Sequence, residues 1–135
     1  MPIMGFGTWQ IKDADVFYRA LKNGYRNFDT ATVYGNEEML GEALERGIQE
    51  GIATRENIFI ATKLWHSDYA DPEAALRLSL SKLKTDYVDL YLIHFPNNGL
   101  GGGALKLPMY VLWKKMEDLV KKGLAKSIGV SNFNI

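Results

Sequence analysis

Four polar residues carry the chemistry open to this sequence: Asp29, Tyr34, Lys63 and His94. Asp29 and Tyr34 share the stretch FDTATVYGNEE (28–38), where an apolar run gives way to a helical pattern. Lys63 lies in IATKLW (60–65) and His94 in LYLIHFP (90–96), each at the end of another apolar run. A phenol has a pKa of roughly 10, too high for ready proton exchange at neutral pH. A nearby ammonium favours the phenolate and lowers that value. A carboxylate beside the ammonium fixes it and keeps it charged, and a neutral imidazole can hold a substrate oxygen. Such a set suits proton transfer to a developing alkoxide, as carbonyl reduction requires. Singly, each residue has a plainer reading: a solvated lysine, an amphipathic wall tyrosine, an aspartate bonding turn backbone, a satisfied core histidine. Their common position at the ends of three successive runs favours the chemical reading.

The elements that must position them alternate along the chain. Strand-like runs cover Ile3–Trp9, Tyr25–Ala31, Ile58–Leu64, Val88–Phe95 and Ala125–Val130. Between them lie four helical patterns. Asp13 caps the first, with Val16, Phe17, Ala20 and Leu21 inward and Gly24 as the stop. The second begins near Asn36, turns Met39, Leu40, Ala43, Leu44 and Ile48 inward, and ends near Gly51. Asp71-Pro72-Glu73 opens the third, which buries Ala75, Leu76, Leu80 and Leu83. The fourth runs from about Pro108, with Leu112, Met116, Leu119 and Val120 inward, to Gly123. Strand and helix in alternation predict an α/β fold with a parallel sheet and helical crossovers. In either a barrel or a doubly wound sheet, working residues gather at the carboxyl ends of the strands. Periodicity alone does not choose between the two.

The bulk numbers narrow the class. The 135 residues show no linker and read as one domain, 1–135, with 47% apolar residues to build a core. Sixteen basic and sixteen acidic residues cancel, which gives no bulk attraction to nucleic acid or to an anionic membrane. The absence of cysteine excludes disulfides and thiolate metal sites, and no metal is expected. The N-terminal MPIMGFGTW does not read as a signal peptide, and no apolar run reaches the length of a membrane span. The expectation is a cytoplasmic protein.

GFGTW (5–9), FDTATVYGNEEMLGEAL (28–44), IFIATKLW (58–65), DYVDLYLIHFP (86–96) and KSIGVSNF (126–133) together resemble the aldo-keto reductases, in the order the family has them. The resemblance implies a (β/α)8 barrel of the TIM type, this chain covering about its first half, four βα units and a fifth strand. It implies hydride transfer from NADPH, with NADH as the alternative, to an aldehyde or ketone. Tyr34 then resembles the general acid, Lys63 and Asp29 the pair that tunes it, and His94 the residue that orients the carbonyl. Thr8, Trp9, Asp29, Ser131 and Asn132 match positions at the cofactor, Ser131 and Asn132 being the pair that bonds the nicotinamide carboxamide. Trp9, Trp65, His94 and Phe95 match the substrate pocket, and Phe95 stands where many members carry tryptophan. The glycine-rich PNNGLGGGALKLP (96–108) lacks the lysine and hydroxyl residue of a phosphate loop and reads as a substrate loop.

A barrel of this type needs about 250 residues. The expectation is therefore a part of a longer reductase, lacking the family's ring that stacks on nicotinamide and its grip on the adenosine phosphate. The first and fifth strands would expose unpaired edges. Those edges motivate the alternative of a non-catalytic half-barrel, self-paired or built into an assembly. A third reading, a lyase or isomerase with Lys63 as a Schiff-base amine, conflicts with the carboxylate that would keep that amine protonated.

Overall fold

Short apolar runs separated by capped helices become a parallel sheet in the computed structural model, which describes residues 5–7, 13–31, 35–65, 71–93 and 109–130. The strands are β1 (Gly5–Gly7), β2 (Asn27–Asp29), β3 (Phe59–Leu64), β4 (Val88–Ile93) and β5 (Ala125–Val130). The helices are α1 (Ala14–Lys22), α2 (Glu37–Gln49), α3 (Pro72–Leu83) and α4 (Met109–Lys121). The strands pair in sequential order, β1-β2-β3-β4-β5, all parallel. A doubly wound sheet reverses its strand order part-way, because its helices fall on both faces. Sequential order with crossovers of one hand leaves all helices on a single face, as in a barrel wall.

The register shows how the two faces divide. Residues directly paired across parallel strands project to the same side. One row holds Asp29, Ala61, Leu90 and Ser127, and the row above it holds Lys63, Leu92 and Gly129. The opposite face carries Phe28 and Ile60, then Thr62, Tyr91 and Ile128, then Leu64 and Ile93. This second face is the one the helices cover. Phe28, Ile60, Leu64, Tyr91 and Ile93 are fully buried there, in one cluster with Phe17, Leu21, Leu40, Leu76, Leu112 and Met116. On the concave face Leu90 and Leu92 are only half-buried.

Local chemistry sets the helix limits. The Asp13 carboxylate accepts from the Asp15 amide at 2.9 Å, and Asp71 accepts from Ala74 at 3.1 Å ahead of Pro72. Helices α1, α2 and α4 stop at glycines of positive φ, and α3 stops at Lys84, whose φ of 57° is left-handed. Helix α2 lies very close to α3. A Cβ on Gly41 would fall 2.2 Å from the Lys82 carbonyl oxygen and 2.8 Å from the Leu83 carbonyl carbon, so only glycine permits this approach.

Arg55, in a 3-10 turn (Arg55–Asn57) ahead of β3, ties the amino ends of β3 and β4 together. It donates to the Thr85 hydroxyl at 2.8 Å and to the Ile58 and Tyr87 carbonyls at 2.7 Å each. It also pairs with Asp89 at 3.1 Å, and its guanidinium lies 4.0 Å from the Tyr87 ring centroid. Asp89 in turn accepts from the Ile60 amide at 2.9 Å.

Several expected limits shift. The second strand is shorter than the expected Tyr25–Ala31, because the Tyr25 amide turns back to Ala20 in closing α1. The fourth strand is described to Ile93 and the first only over Gly5–Gly7, their remaining expected residues lying outside the described ones. Ile48 and Val120, expected inward, are each 37% exposed. Both lie in the last turns of their helices, Ile48 on the rim of a shallow groove with Leu44, Ile58 and Leu83.

Candidate functional site

The carboxyl ends of β2 and β3 bring two of the expected residues together. Asp29 ends β2, and Lys63 is the penultimate residue of β3. They sit in adjacent rows of the concave face, and the Lys63 ammonium donates to Asp29 Oδ1 at 2.7 Å. Lys63 is only 6% exposed, whereas the Asp29 side chain is 52% exposed. A buried ammonium costs several kcal/mol unless opposite charge and hydrogen bonds replace its water. Asp29 supplies the charge. The Thr30 carbonyl supplies a second acceptor at 3.3 Å. A nitrogen engaged by a carboxylate in this way is not free for the attack on a carbonyl that a Schiff-base role needs.

Thr30 is the hub of this corner. Its amide donates to the Ala61 carbonyl at 2.8 Å, extending the β2–β3 ladder one residue past Asp29. Its hydroxyl donates to Asn36 Oδ1 at 3.0 Å. Asn36 precedes α2, yet its side chain makes no cap bond to that helix. The two buried side chains instead close the base of the connection between β2 and α2, which is where Tyr34 falls in the chain.

Behind β3, on the helix-covered face, lies an acid that sequence reasoning missed. Glu37 is 2% exposed. Its Oε2 accepts from the Thr62 hydroxyl at 2.6 Å and its Oε1 from the Ser79 hydroxyl of α3 at 2.9 Å. Burial pushes its carboxyl above the ordinary carboxylate value, while the two hydroxyls and the Lys82 charge pull it back. Its place in the first turn of α2 puts it where the helix dipole favours negative charge. A signal was there to read: Glu37 is three and four residues ahead of Leu40 and Gly41, on the inward stripe of its helix.

Of the other expected site residues, Trp65 directly follows β3 and is half-buried at the same end. Thr8, Trp9, Tyr34, His94, Phe95, Ser131 and Asn132 lie outside the described residues. Chain connectivity still orders them, since β1 ends at Gly7, β4 at Ile93 and β5 at Val130. Ile93 pairs with Val130, so β4 and β5 finish level. Among the described residues no group of acidic residues, histidines or cysteines could hold a metal ion, and no helix is long and apolar enough to cross a membrane.

Comparison with known proteins sets this geometry in context. A family model described as "Aldo/keto reductase family" matches residues 3–135. An aldose reductase of Encephalitozoon cuniculi is 44% identical over 98% of this chain and 50% of its own length. An NADH-dependent D-xylose reductase of Candida parapsilosis is 42% identical over 99% of this chain and 48% of its own. The crystal structure of a Bombyx mori aldo-keto reductase in complex with NADP superposes with a TM-score of 0.89 at 40% identity, covering 99% of this chain and 48% of that one. The chain spans about half the length of the curated relatives it matches. Its fold is accordingly the first half of a (β/α)8 barrel, which agrees with the sequential strand order and the single helical layer.

Proposed function

Because the chain belongs to the aldo/keto reductase family, we propose that it carries the proton-donating half of a reductase acting on aldehydes or ketones. The observation that supports this most is the buried Lys63 ammonium, held by Asp29 at the carboxyl end of the sheet. A cation so placed has no structural need that an apolar residue would not meet as well. Its use is to an acid beside it. Tyr34 is that acid, and delivers its phenolic proton to the carbonyl oxygen as the C–H bond forms. The Lys63 charge stabilises the phenolate left behind, and Asp29 keeps that charge in position. His94, following β4, holds the carbonyl oxygen by a hydrogen bond during the transfer.

NADPH is the proposed cofactor, with NADH as the alternative; when bound it supplies the hydride. Relatives are named for each, an NADH-dependent xylose reductase and an aldo-keto reductase complexed with NADPH, so the preference varies among similar chains. Support for a nicotinamide comes from the family match over residues 3–135 and from similar structures complexed with NADP or NADPH. In the chain, Ser131 and Asn132 directly follow β5 and His94 directly follows β4. Ser131 and Asn132 bond the carboxamide, Thr8, Trp9 and Asp29 line the same region, and Trp9, Trp65 and Phe95 wall the substrate.

The test is Tyr34→Phe in the active enzyme. Loss of the general acid lowers carbonyl reduction by about 100-fold or more, the range of positioned proton transfer. Binding of NADPH, followed by fluorescence titration, stays intact. Undiminished turnover would remove Tyr34 from the mechanism.

A further inference from the structure

We propose that Glu37 is a positioning residue for Lys63, acting through a hydrogen-bonded ring that encloses strand β3. The ring is continuous. Lys63 Nζ donates to the Thr30 carbonyl at 3.3 Å, and the Thr30 hydroxyl donates to Asn36 Oδ1 at 3.0 Å. The peptide bond leads from Asn36 to Glu37. Glu37 Oε2 accepts from the Thr62 hydroxyl at 2.6 Å, and the next residue of the strand is Lys63. Two members lie on the helix-covered face and the rest at the rim, so the ring couples the two sides of the sheet.

The burial of Glu37 is costly, and neither of its hydroxyl donors carries charge. Packing alone would be served as well by an apolar side chain of the same volume. An acid there can take both hydroxyls at once, one from β3 and one from α3, and so pins the first turn of α2 to the strand. Asn36 immediately precedes that turn, and its backbone carbonyl accepts from the Leu40 amide at 3.1 Å. Its side chain therefore presents a fixed acceptor to Thr30. Thr30, held also by Ala61, then offers its carbonyl to Lys63 at one place only. Without the Glu37 link, α2 is free to draw away from β3, and the second acceptor of the ammonium goes with it. The ring concerns Lys63 itself; its bearing on turnover rests on the proposed role of Lys63 beside Tyr34.

Thr62→Val tests the ring, because it keeps the side-chain shape and deletes only the hydroxyl, and Thr62→Ser restores the hydroxyl. The probe is a succinimidyl ester that acylates amines, with Lys63 labelling measured by mass spectrometry against the exposed Lys121. In Thr62→Val the Lys63 labelling rate rises by about fivefold or more, as local opening exposes it. In Thr62→Ser it stays near wild type. A Thr62→Val chain with native circular dichroism and unchanged Lys63 labelling would overturn the proposal. Should Thr62→Val not fold, Glu37→Gln takes its place with the same expected rise, and an unchanged rate overturns equally. In the active enzyme Thr62→Val lowers kcat by about tenfold, as small misplacements of working groups do. The dissociation constant for NADPH is unchanged, and Thr62→Ser recovers kcat. Raised labelling together with unaltered kcat would retain the ring and reject the reductase role of Lys63, so the two readings fail separately.

Discussion

Lys63 and Glu37 are buried back to back on the two sides of β3, and they are compensated in different ways. Lys63 meets a full opposite charge, and that charge stands half in water. Glu37 meets two hydroxyls and is enclosed by helices. An ionic partner offsets the burial of its neighbour with a full opposite charge. Neutral donors do so less firmly, and burial has shifted Glu37 upward in consequence. The concave rim is thus organised by charge, and the layer behind it by shape and dipoles.

The enclosed side breaks most severely by steric means. In Gly41→Ala the new methyl group meets the backbone of Lys82 and Leu83, which cannot rotate away. Helix α2 must lift from α3, separating Glu37 from Ser79. We expect a loss of about 3 kcal/mol, the upper range for overpacking, read from the urea midpoint. The rim is more forgiving. Asp29→Asn leaves the Lys63 ammonium without its counter-charge, but the half-exposed position lets water take part of that role. The expected loss is about 1–2 kcal/mol by the same measurement, together with a weaker stabilisation of the proposed phenolate.

The smallest effect sharpens the contrast through the pH dependence of stability. Raising a carboxyl pKa on folding stabilises the protein at low pH, where the acid is neutral in both states. As pH rises through the ordinary value of 4.5, the unfolded chain ionises first, and stability falls until the folded carboxyl also ionises. Glu37→Gln carries no charge to bury and removes that decline. Urea melts from about pH 4 to about pH 8 should show a flatter profile in the variant. An identical slope in both proteins would place the pH dependence elsewhere.

The Asp29–Lys63 pair was legible before any coordinates. A strand that ends in Ala-Thr-Lys-Leu exposes its alternate residues to alternate faces, and Lys63 next to a rim where Asp29 also ends a strand already suggested a pair. Helix caps at Asp13 and Asp71 were legible for the same local reason. The choice between a barrel wall and a doubly wound sheet was not, because both satisfy the same periodicity and only strand order separates them. Glu37 was legible only as a position on the inward stripe of α2, and not as a group enclosed from both sides. Acids in a first helical turn are ordinary surface features, and what encloses this one is the close approach of α3, set by Gly41 and remote in the chain. Ser79 and Thr62 drew no reading from the sequence, and their convergence on one carboxyl explains them.

Arg55 gives the far end of the sheet a role in all this. By clasping the starts of β3 and β4 through Thr85, Tyr87 and Asp89, it pegs how one strand slides against the other. Side chains alternate along a strand, so slippage by a single residue would exchange the faces. Thr62 would then stand at the mouth and Lys63 among the helices, an ammonium thrust into an oily layer with no counter-ion. A guanidinium roughly a strand's length from the chemistry thereby decides which of two neighbours points toward it.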